Sequence, residues 1–244
     1  MLKKQTRNQS DSIVFNGVDL SKLVFCKVQR PVLAPIEVTS EEINGGNGAV
    51  YKGSRRASYD LPVEIWIRTE DRRAVADLRH KLAAVLWTDE PKPLYLPDDP
   101  TRYLLAVVSG STDIDKISDD CPSATITFKI LDPDYYGRKR RVEFSGDASL
   151  CAGGNVAAHF KATVKGASGD RFRLTNLDTA EFVEVVGKLT SDSVIRIDTS
   201  LERATVNNQT AQVSIDSDFF KLGRRSRIRA SSGSVLIEWS ERWL

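Results

Sequence analysis

The sequence predicts a mainly β protein with a single α-helix, divided into two domains. Apolar and polar residues alternate in most periodic segments, which is the pattern of half-buried strands. Only residues 70–87 carry apolar side chains at helical spacing. A turn-rich segment at 132–137 precedes a region in which every periodic segment has period two. We therefore place an N-terminal domain at 1–137 and a C-terminal domain at 138–244, a division that suits a chain of 244 residues.

The N-terminal domain is predicted to contain short strands around its helix. Asn16-Gly17 is a strong turn signal between two apolar stretches. Further strands are indicated at 103–108 and 123–131. The clearest strand is 61–68, because its apolar residues fall at every second position: Leu61, Val63, Ile65 and Ile67.

The helix at about 70–87 has both a start signal and a stop signal. Thr69 can cap its N-terminus, and Glu70 and Asp71 then face the positive end of the helix dipole. Two prolines within 89–93 end it. One face is expected to pack inward through a stripe of apolar residues: Val75, Leu78, Leu82, Val85 and Leu86.

Residues 43–60 are predicted to form an arm, either a long loop or a protruding hairpin. The segment combines four glycines with basic side chains and a short apolar centre. It is not a phosphate-binding P-loop, since Lys52 precedes Gly53 and no helix follows. Such a segment gains little by folding back on its own domain and gains more on a neighbouring subunit. The candidate interface residues are Asn44, Gly45, Gly46, Val50, Tyr51, Lys52, Arg55 and Arg56.

The C-terminal domain is predicted to be an all-β sandwich, because turns recur about every 8 to 12 residues between period-two segments. Strands are expected at 156–164, 182–186, 194–197 and 235–239. The basic run Arg138–Arg141 is interpreted as a solvated linker.

The sequence offers little catalytic chemistry. His80 and His159 are interpreted as surface residues, because neither has metal ligands or a triad at suitable spacing. The pairs Asp98-Asp99, Asp113 with Asp115 and Asp119-Asp120 are expected to be turn residues instead of a Ca²⁺ or glycosidase site. We expect no metal, no cofactor and no enzyme activity. A cysteine–histidine nucleophile pair stays open, although no cysteine lies in a nucleophile-elbow motif.

Charge and cysteine usage limit the function further. A formal charge of +2 gives no support for a dedicated nucleic-acid binder. Cys26, Cys121 and Cys151 form no CxxC pair and are expected to be free thiols in a reducing compartment. The polar N-terminus at 1–10 indicates no secretory signal. No apolar run reaches the roughly 20 residues of a membrane span, so we expect no membrane insertion.

Short motifs in order along nearly the whole chain resemble the siphophage distal tail protein (Dit) family. The opening FNGVDL, the glycine-rich GAVY and the closing DPDYYG fit the family's first domain, and GGN and DFF its second. The matching segments are Phe15–Leu20, Arg30–Val38, Gly48–Tyr51, Tyr95–Asp98, Leu131–Gly137, Gly153–Phe160 and Asp218–Trp239.

The resemblance implies a structural protein. The first domain would form a hexameric ring whose lumen lets DNA pass, with the arm reaching the adjacent subunit, and the second would be a galectin-like β-sandwich. Implied neighbours are the tail-tube protein, the tape-measure protein, the tail-associated lysin or tip protein and receptor-binding proteins. The location would be the virion tail tip, after assembly in the host cytoplasm. The alternative is a carbohydrate-binding module for host attachment, for which Trp239 and Trp243 are candidates.

Overall fold

The computed structural model describes residues 12–67, 72–110, 114–115 and 123–244. The chain divides into two compact units between Tyr135 and Tyr136, with Leu244 grouped with the first unit. The predicted domain limits lie close to this division, and the autonomy of each domain stays a prediction.

The first unit contains one principal sheet and a separate hairpin. The sheet has the order β3-β6-β10-β8-β7-β1-β2, and β9 pairs with β10. The strands are β1 (Val14–Phe15), β2 (Val18–Asp19), β3 (Phe25–Val28), β4 (Ile36–Glu42), β5 (Ala49–Arg56), β6 (Tyr59–Trp66), β7 (Lys92–Leu96), β8 (Asp99–Ser109), β9 (Ile114–Asp115) and β10 (Ser123–Ile130).

The alternating sequences of β6 and β10 build the centre of the first core. The strands pair antiparallel with Leu61 opposite Phe128, so their apolar positions share one face. Both residues are fully buried, and the rings of Phe15 and Phe128 meet edge to face with centroids 4.9 Å apart. The alternation predicted from the sequence is confirmed. Of the predicted arm, 43–60, the residues Tyr59 and Asp60 belong to this sheet as the start of β6.

The single described α-helix, α1, spans Arg72–Leu86, and a short 3-10 helix spans Leu20–Lys22. The predicted cap and first turn, 69–71, lie outside the described residues, and the helix ends one residue before Trp87. Leu82 is buried and the other stripe residues are half-buried, so the stripe faces inward as predicted. Trp87 lies beyond the helix and is 79% exposed.

The second unit is a β-sandwich. Its first sheet, sheet I, has the order β18-β17-β16-β13-β21-β11, and sheet II has the order β12-β20-β14-β15-β19. The strands are β11 (Tyr135–Phe144), β12 (Asp147–Leu150), β13 (Phe160–Lys165), β14 (Gly169–Asn176), β15 (Phe182–Leu189), β16 (Ile195–Asp198), β17 (Arg203–Val206), β18 (Gln209–Thr210), β19 (Gln212–Val213), β20 (Ser226–Ala230) and β21 (Ser234–Trp243).

One buried cluster joins the inner faces of the two sheets. Val164 and Ile237 from sheet I and Phe172 and Val183 from sheet II are fully buried in it. Trp239 belongs to the same cluster, and its Nε1 donates to the Ala152 carbonyl at 2.8 Å. The sandwich prediction is therefore confirmed, and Trp239 is a core residue instead of an exposed platform for a sugar.

Two predictions about the second unit are wrong. Arg138–Arg141 is not a linker but lies within β11 with its side chains exposed. The strand predicted from Val156 starts only at Phe160, because the preceding backbone is engaged elsewhere. The Val156 amide donates to the Arg242 carbonyl at 3.2 Å, and the amide of residue 158 donates to the Leu222 carbonyl at 2.9 Å.

Candidate functional site

The candidate site is the hairpin formed by β4 and β5, Ile36–Arg56, which we call the hairpin arm. It is a two-stranded sheet of its own, paired with no other described strand. The Ala57 amide donates to the Pro35 carbonyl at 2.8 Å and closes its base. Both outer strand edges therefore leave backbone donors and acceptors available to another chain.

The predicted limits of the arm, 43–60, need correction. The arm starts seven positions earlier, at Ile36, and ends at Arg56, since Tyr59 begins β6 and is buried. All eight predicted interface residues lie on the arm, but the β4 half was missed. The sequence did contain a signal for it: Ile36 and Val38 alternate with charged Glu37, and Glu37 is complementary to Arg55 on β5.

The tip of the arm contains three of the predicted residues, Asn44, Gly45 and Gly46. The Gly46 amide donates to the Ile43 carbonyl at 3.1 Å, which closes a tight turn. Gly45 has φ +75°, a conformation that glycine adopts without the steric cost of a side chain. The glycines thus serve the turn geometry, and most of the large side chains of the arm lie along its strands.

A bulge separates the tip from the base. Thr39 lies opposite Gly53, whereas Ser40 lies opposite Tyr51, so Lys52 is an extra residue on β5. An insertion of this kind bends the strand and raises its twist. Because of this extra residue, Tyr51 lies on the same side of the arm as Val38, instead of on the opposite side.

One face of the arm is polar and internally paired. Arg55 Nε and a Glu37 carboxylate oxygen are 2.6 Å apart, and Lys52 Nζ and a Glu41 oxygen are 2.7 Å apart. Exposed ion pairs of this kind add little stability. They do pair each of these charges with a partner on the arm itself.

The other face has the larger exposed apolar side chains of the arm, whereas Val50, opposite Glu41, lies on the paired face. Ile36 is 49% exposed, Val38 61% and Tyr51 64%. The Tyr51 hydroxyl donates to Ser54 Oγ at 2.8 Å, which holds the ring along this face. A row of large apolar side chains on a thin, two-stranded element is costly in water, and burial against another surface removes that cost.

The base of the arm is tied to the first unit by charge. Arg56 forms an ion pair with Asp134, whose side chain is only 7% exposed. Nearby, Arg30 Nε lies 2.7 Å from an Asp98 oxygen, and its guanidinium is 5.2 Å from the centre of the Tyr135 ring. The ion pair of Arg56 with Asp134 orients the otherwise exposed hairpin arm.

The two histidines considered for catalysis lie in different surroundings. His80 is exposed, and His159 Nδ1 lies 2.9 Å from the Thr199 carbonyl oxygen, with its pKa lowered first by burial and then by Lys221. In the described residues no group of three or more His, Cys, Asp and Glu side chains could hold a metal ion. The described part of the chain likewise contains no helix long and apolar enough to cross a membrane.

The predicted turn role is seen at Asp99, whose carboxylate accepts hydrogen bonds from the Thr101 amide and from Arg102. Burial raises its pKa, but these hydrogen bonds outweigh burial and lower it. The side chains of Asp113, Asp115, Asp119 and Asp120 lie outside the described residues. So does Cys121, while Cys26 and Cys151 are free thiols.

Two protein-family models match the chain. The phage tail protein RIFT-related domain matches residues 18–130, and the C-terminal domain of the siphovirus-type tail component matches residues 153–243. Together they cover most of both units, and the first match includes the entire hairpin arm. A comparison with curated protein sequences gave no match.

A solved structure shows the same fold. The Dit protein of phage SPP1 matches with a TM-score of 0.78 and 18% identity, over 96% of this chain and 99% of that one. A chain of the phage P2 baseplate in its activated conformation with Ca matches less well, with a TM-score of 0.43 and 10% identity over 88% of this chain and 90% of that one.

Proposed function

Because this chain belongs to the siphophage distal tail (Dit) protein family, we propose that it builds the hub at the tip of a long, non-contractile phage tail. The two family models are both of phage tail components, and the protein is a structural tail component, not an enzyme. Its role is that of a tail hub.

The exposed apolar face of the hairpin arm is the observation that carries the assembly proposal. Head-to-tail contacts between copies generate closed rings when the rotation between neighbours closes. An arm with Ile36, Val38 and Tyr51 on one face suits such a contact, because it reaches beyond its own unit and buries apolar area on the next copy. Its open edges can add backbone hydrogen bonds to the same contact.

We propose a hexameric ring made by the first unit, with the arm of each copy lying on its neighbour. The ring's lumen would continue the tail tube and let DNA pass. A formal charge of +2 suits a conduit, since a strongly basic lining would hold DNA instead of releasing it. The second unit, a β-sandwich, would anchor or support other tail-tip components.

The proposed neighbours are the tail-tube protein and the tail-associated lysin or tip protein, with the tape-measure protein in the lumen and receptor-binding proteins attached outside. The protein would act at the virion tail tip, after assembly in the host cytoplasm. The carbohydrate-binding alternative loses one of its two candidate residues, because Trp239 is buried in the sandwich core. The other candidate, Trp243, is half-buried.

Removing the arm without disturbing its base tests the ring. Ile36 and Arg56 are direct partners, so replacing residues 37–55 by Asn-Gly leaves a two-residue hairpin loop between them. This design also preserves the ion pair between Arg56 and Asp134. We expect light scattering to give a ring mass for the intact chain and a monomer mass for the variant, at equal helix and strand content. A strictly monomeric intact chain at all concentrations would contradict a self-assembling ring.

Point variants separate the two faces of the arm. Val38→Ser with Tyr51→Ser removes apolar side chains from the uncovered face and is expected to weaken assembly. The matched control, Glu37→Gln with Arg55→Gln, removes one exposed ion pair from the polar face without changing the net charge. If the two double variants weaken assembly equally, the apolar face is not the contact between copies.

A further inference from the structure

The outer face of sheet I contains a solvent-open cavity of about 300 Å³. It lies on the strands β13, β16 and β17, on the side opposite the sandwich core. Six of its eight lining residues have polar or charged side chains: Lys161, Ala162, Arg196, Ile197, Asp198, Arg203, Thr205 and Asn208. A volume near 300 Å³ is at the lower end of small-molecule sites, so the cavity suits a small group.

The register of three strands brings the cations together. Lys161 is opposite Asp198 on β16, and Asp198 is opposite Arg203 on β17. Arg196 lies two residues before Asp198 and therefore on the same face. Lys161, Arg196 and Arg203 come from three strands and line one concave surface with a single carboxylate, which gives the lining a formal charge of +2 from three cations and one anion.

That carboxylate does not neutralise the arginines. Asp198 accepts hydrogen bonds from the Ser200 amide at 3.0 Å and the Ser200 hydroxyl at 2.6 Å, and Lys161 Nζ lies 3.1 Å from its other oxygen. Burial raises the pKa of Asp198, but these hydrogen bonds outweigh burial and lower it, so the group is ionised at neutral pH. The two oxygens of Asp198 are thus occupied by hydrogen bonds from its own turn and by the ion pair with Lys161.

Arg196 and Arg203 have only neutral partners in the described part of the chain. Arg196 donates to the Asn208 side-chain oxygen, and Arg203 donates to Thr210 Oγ1 at 3.0 Å. A guanidinium has five N–H donors, so these contacts hold each side chain in place and leave most of its donors available.

The arginines on the outer face of sheet II are different. Arg227 pairs with Asp178 and Arg229 with Asp147, each at 2.7 Å, while Arg171 and Arg173 share Glu184. Sheet II thus matches its arginines with carboxylates. The cavity on sheet I instead contains two arginines, Arg196 and Arg203, whose side-chain partners among the described residues are neutral.

We propose that the cavity on the outer face of sheet I is a binding site for a phosphate group. The forked donors of Arg196 and Arg203 match the oxygens of a tetrahedral anion, and Lys161 supplies a third cation. Thr205 and Asn208 add neutral hydrogen-bonding groups to the lining. A phosphate carrying about 1.5 to 2 negative charges near neutral pH balances the charge of the lining.

Equilibrium dialysis tests the site on the intact chain, whatever its oligomeric state. The two probes are radiolabelled inorganic phosphate and glycerol 3-phosphate, with glycerol as the uncharged control. We expect saturable binding of phosphate at one per chain, no binding of glycerol, and a dissociation constant that rises with salt. Tighter binding of glycerol 3-phosphate identifies an organic phosphate as the ligand, whereas equal binding shows that the bare phosphate group is sufficient.

Arg196→Gln and Arg203→Gln are each expected to weaken binding about tenfold, since each removes a charged donor. The matched control is Arg229→Gln, which makes the same charge change on sheet II and should leave binding unaltered. All three positions are exposed, so folding is expected to be preserved, and circular dichroism checks this. Absence of saturable phosphate binding to the intact chain overturns the proposal, as does an equal loss in Arg229→Gln.

Discussion

Arg56, the last residue of the hairpin arm, forms an ion pair with Asp134, whose side chain is 7% exposed. The arginine is itself only 26% exposed. The neighbouring pair between Arg55 and Glu37 lies in solvent, with side chains 81% and 54% exposed. Two adjacent arginines of one strand therefore make ion pairs of opposite kinds, one anchoring the arm to its unit and one within the arm.

Arg56→Leu is expected to destabilise the first unit by roughly 3 kcal/mol, because it removes a cation that pairs with the buried Asp134 carboxylate. The matched control, Arg55→Leu, should cost about 0.5 kcal/mol, since it breaks an exposed pair. Urea unfolding of both variants measures the difference. Equal midpoints for the two would show that the Asp134 pair does not anchor the arm.

Gly154→Ala is expected to destabilise the second unit by at least roughly 3 kcal/mol, because left-handed strain and overpacking add. Gly154 has φ +76°, and a Cβ there would lie 2.0 Å from the Arg242 carbonyl oxygen. Gly146 shares the conformation, with φ +72°, but a Cβ at that position meets nothing within 4 Å. Gly146→Ala should therefore cost only about 1 kcal/mol. Thermal unfolding distinguishes the two, and similar losses would exclude the close approach to Arg242 as the cause.

Acid is expected to destabilise the second unit partly through Glu241. Burial raises the pKa of Glu241, but hydrogen bonds, chiefly from Arg140 at 2.6 Å, outweigh burial and lower it. A folded-state pKa below the unfolded value stabilises the fold above about pH 4.5, and this contribution is lost as the pH falls through the folded pKa. Melting temperatures between pH 7 and pH 3 should fall less steeply for Glu241→Gln than for the unaltered chain. Parallel curves would contradict this contribution.

The two described thiols are expected to react at different rates. Cys151 is exposed, whereas Cys26 is half-buried and burial raises its pKa to about 11. Because the thiolate is the nucleophile, iodoacetamide at pH 8 should label Cys151 at least about tenfold faster. Peptide mass spectrometry with timed quenching measures both rates in one sample. Comparable rates in the folded chain, or labelling that requires prior reduction, would contradict free thiols in these environments.

The sequence alone determined the elements whose burial follows a local period. The alternation at Leu61, Val63 and Ile65 places these residues in the core, because successive strand side chains point to opposite faces. The stripe around Leu82 likewise identified the inward face of α1. Turn glycines at the tip of the arm were also evident, since their role depends on neighbours only a few residues away.

Tertiary structure alone decided which distant residues meet. The sequence did not show that β4 pairs with β5 to give the arm an apolar face, or that Arg56 reaches Asp134. Nor did it show that Arg196 and Arg203 share a cavity with Lys161, since three strands must first pair in one register. Local periodicity encodes which side of an element is buried, whereas pairing between strands depends on the energetics of the whole fold. The proposed interface and the proposed phosphate site both depend on that pairing.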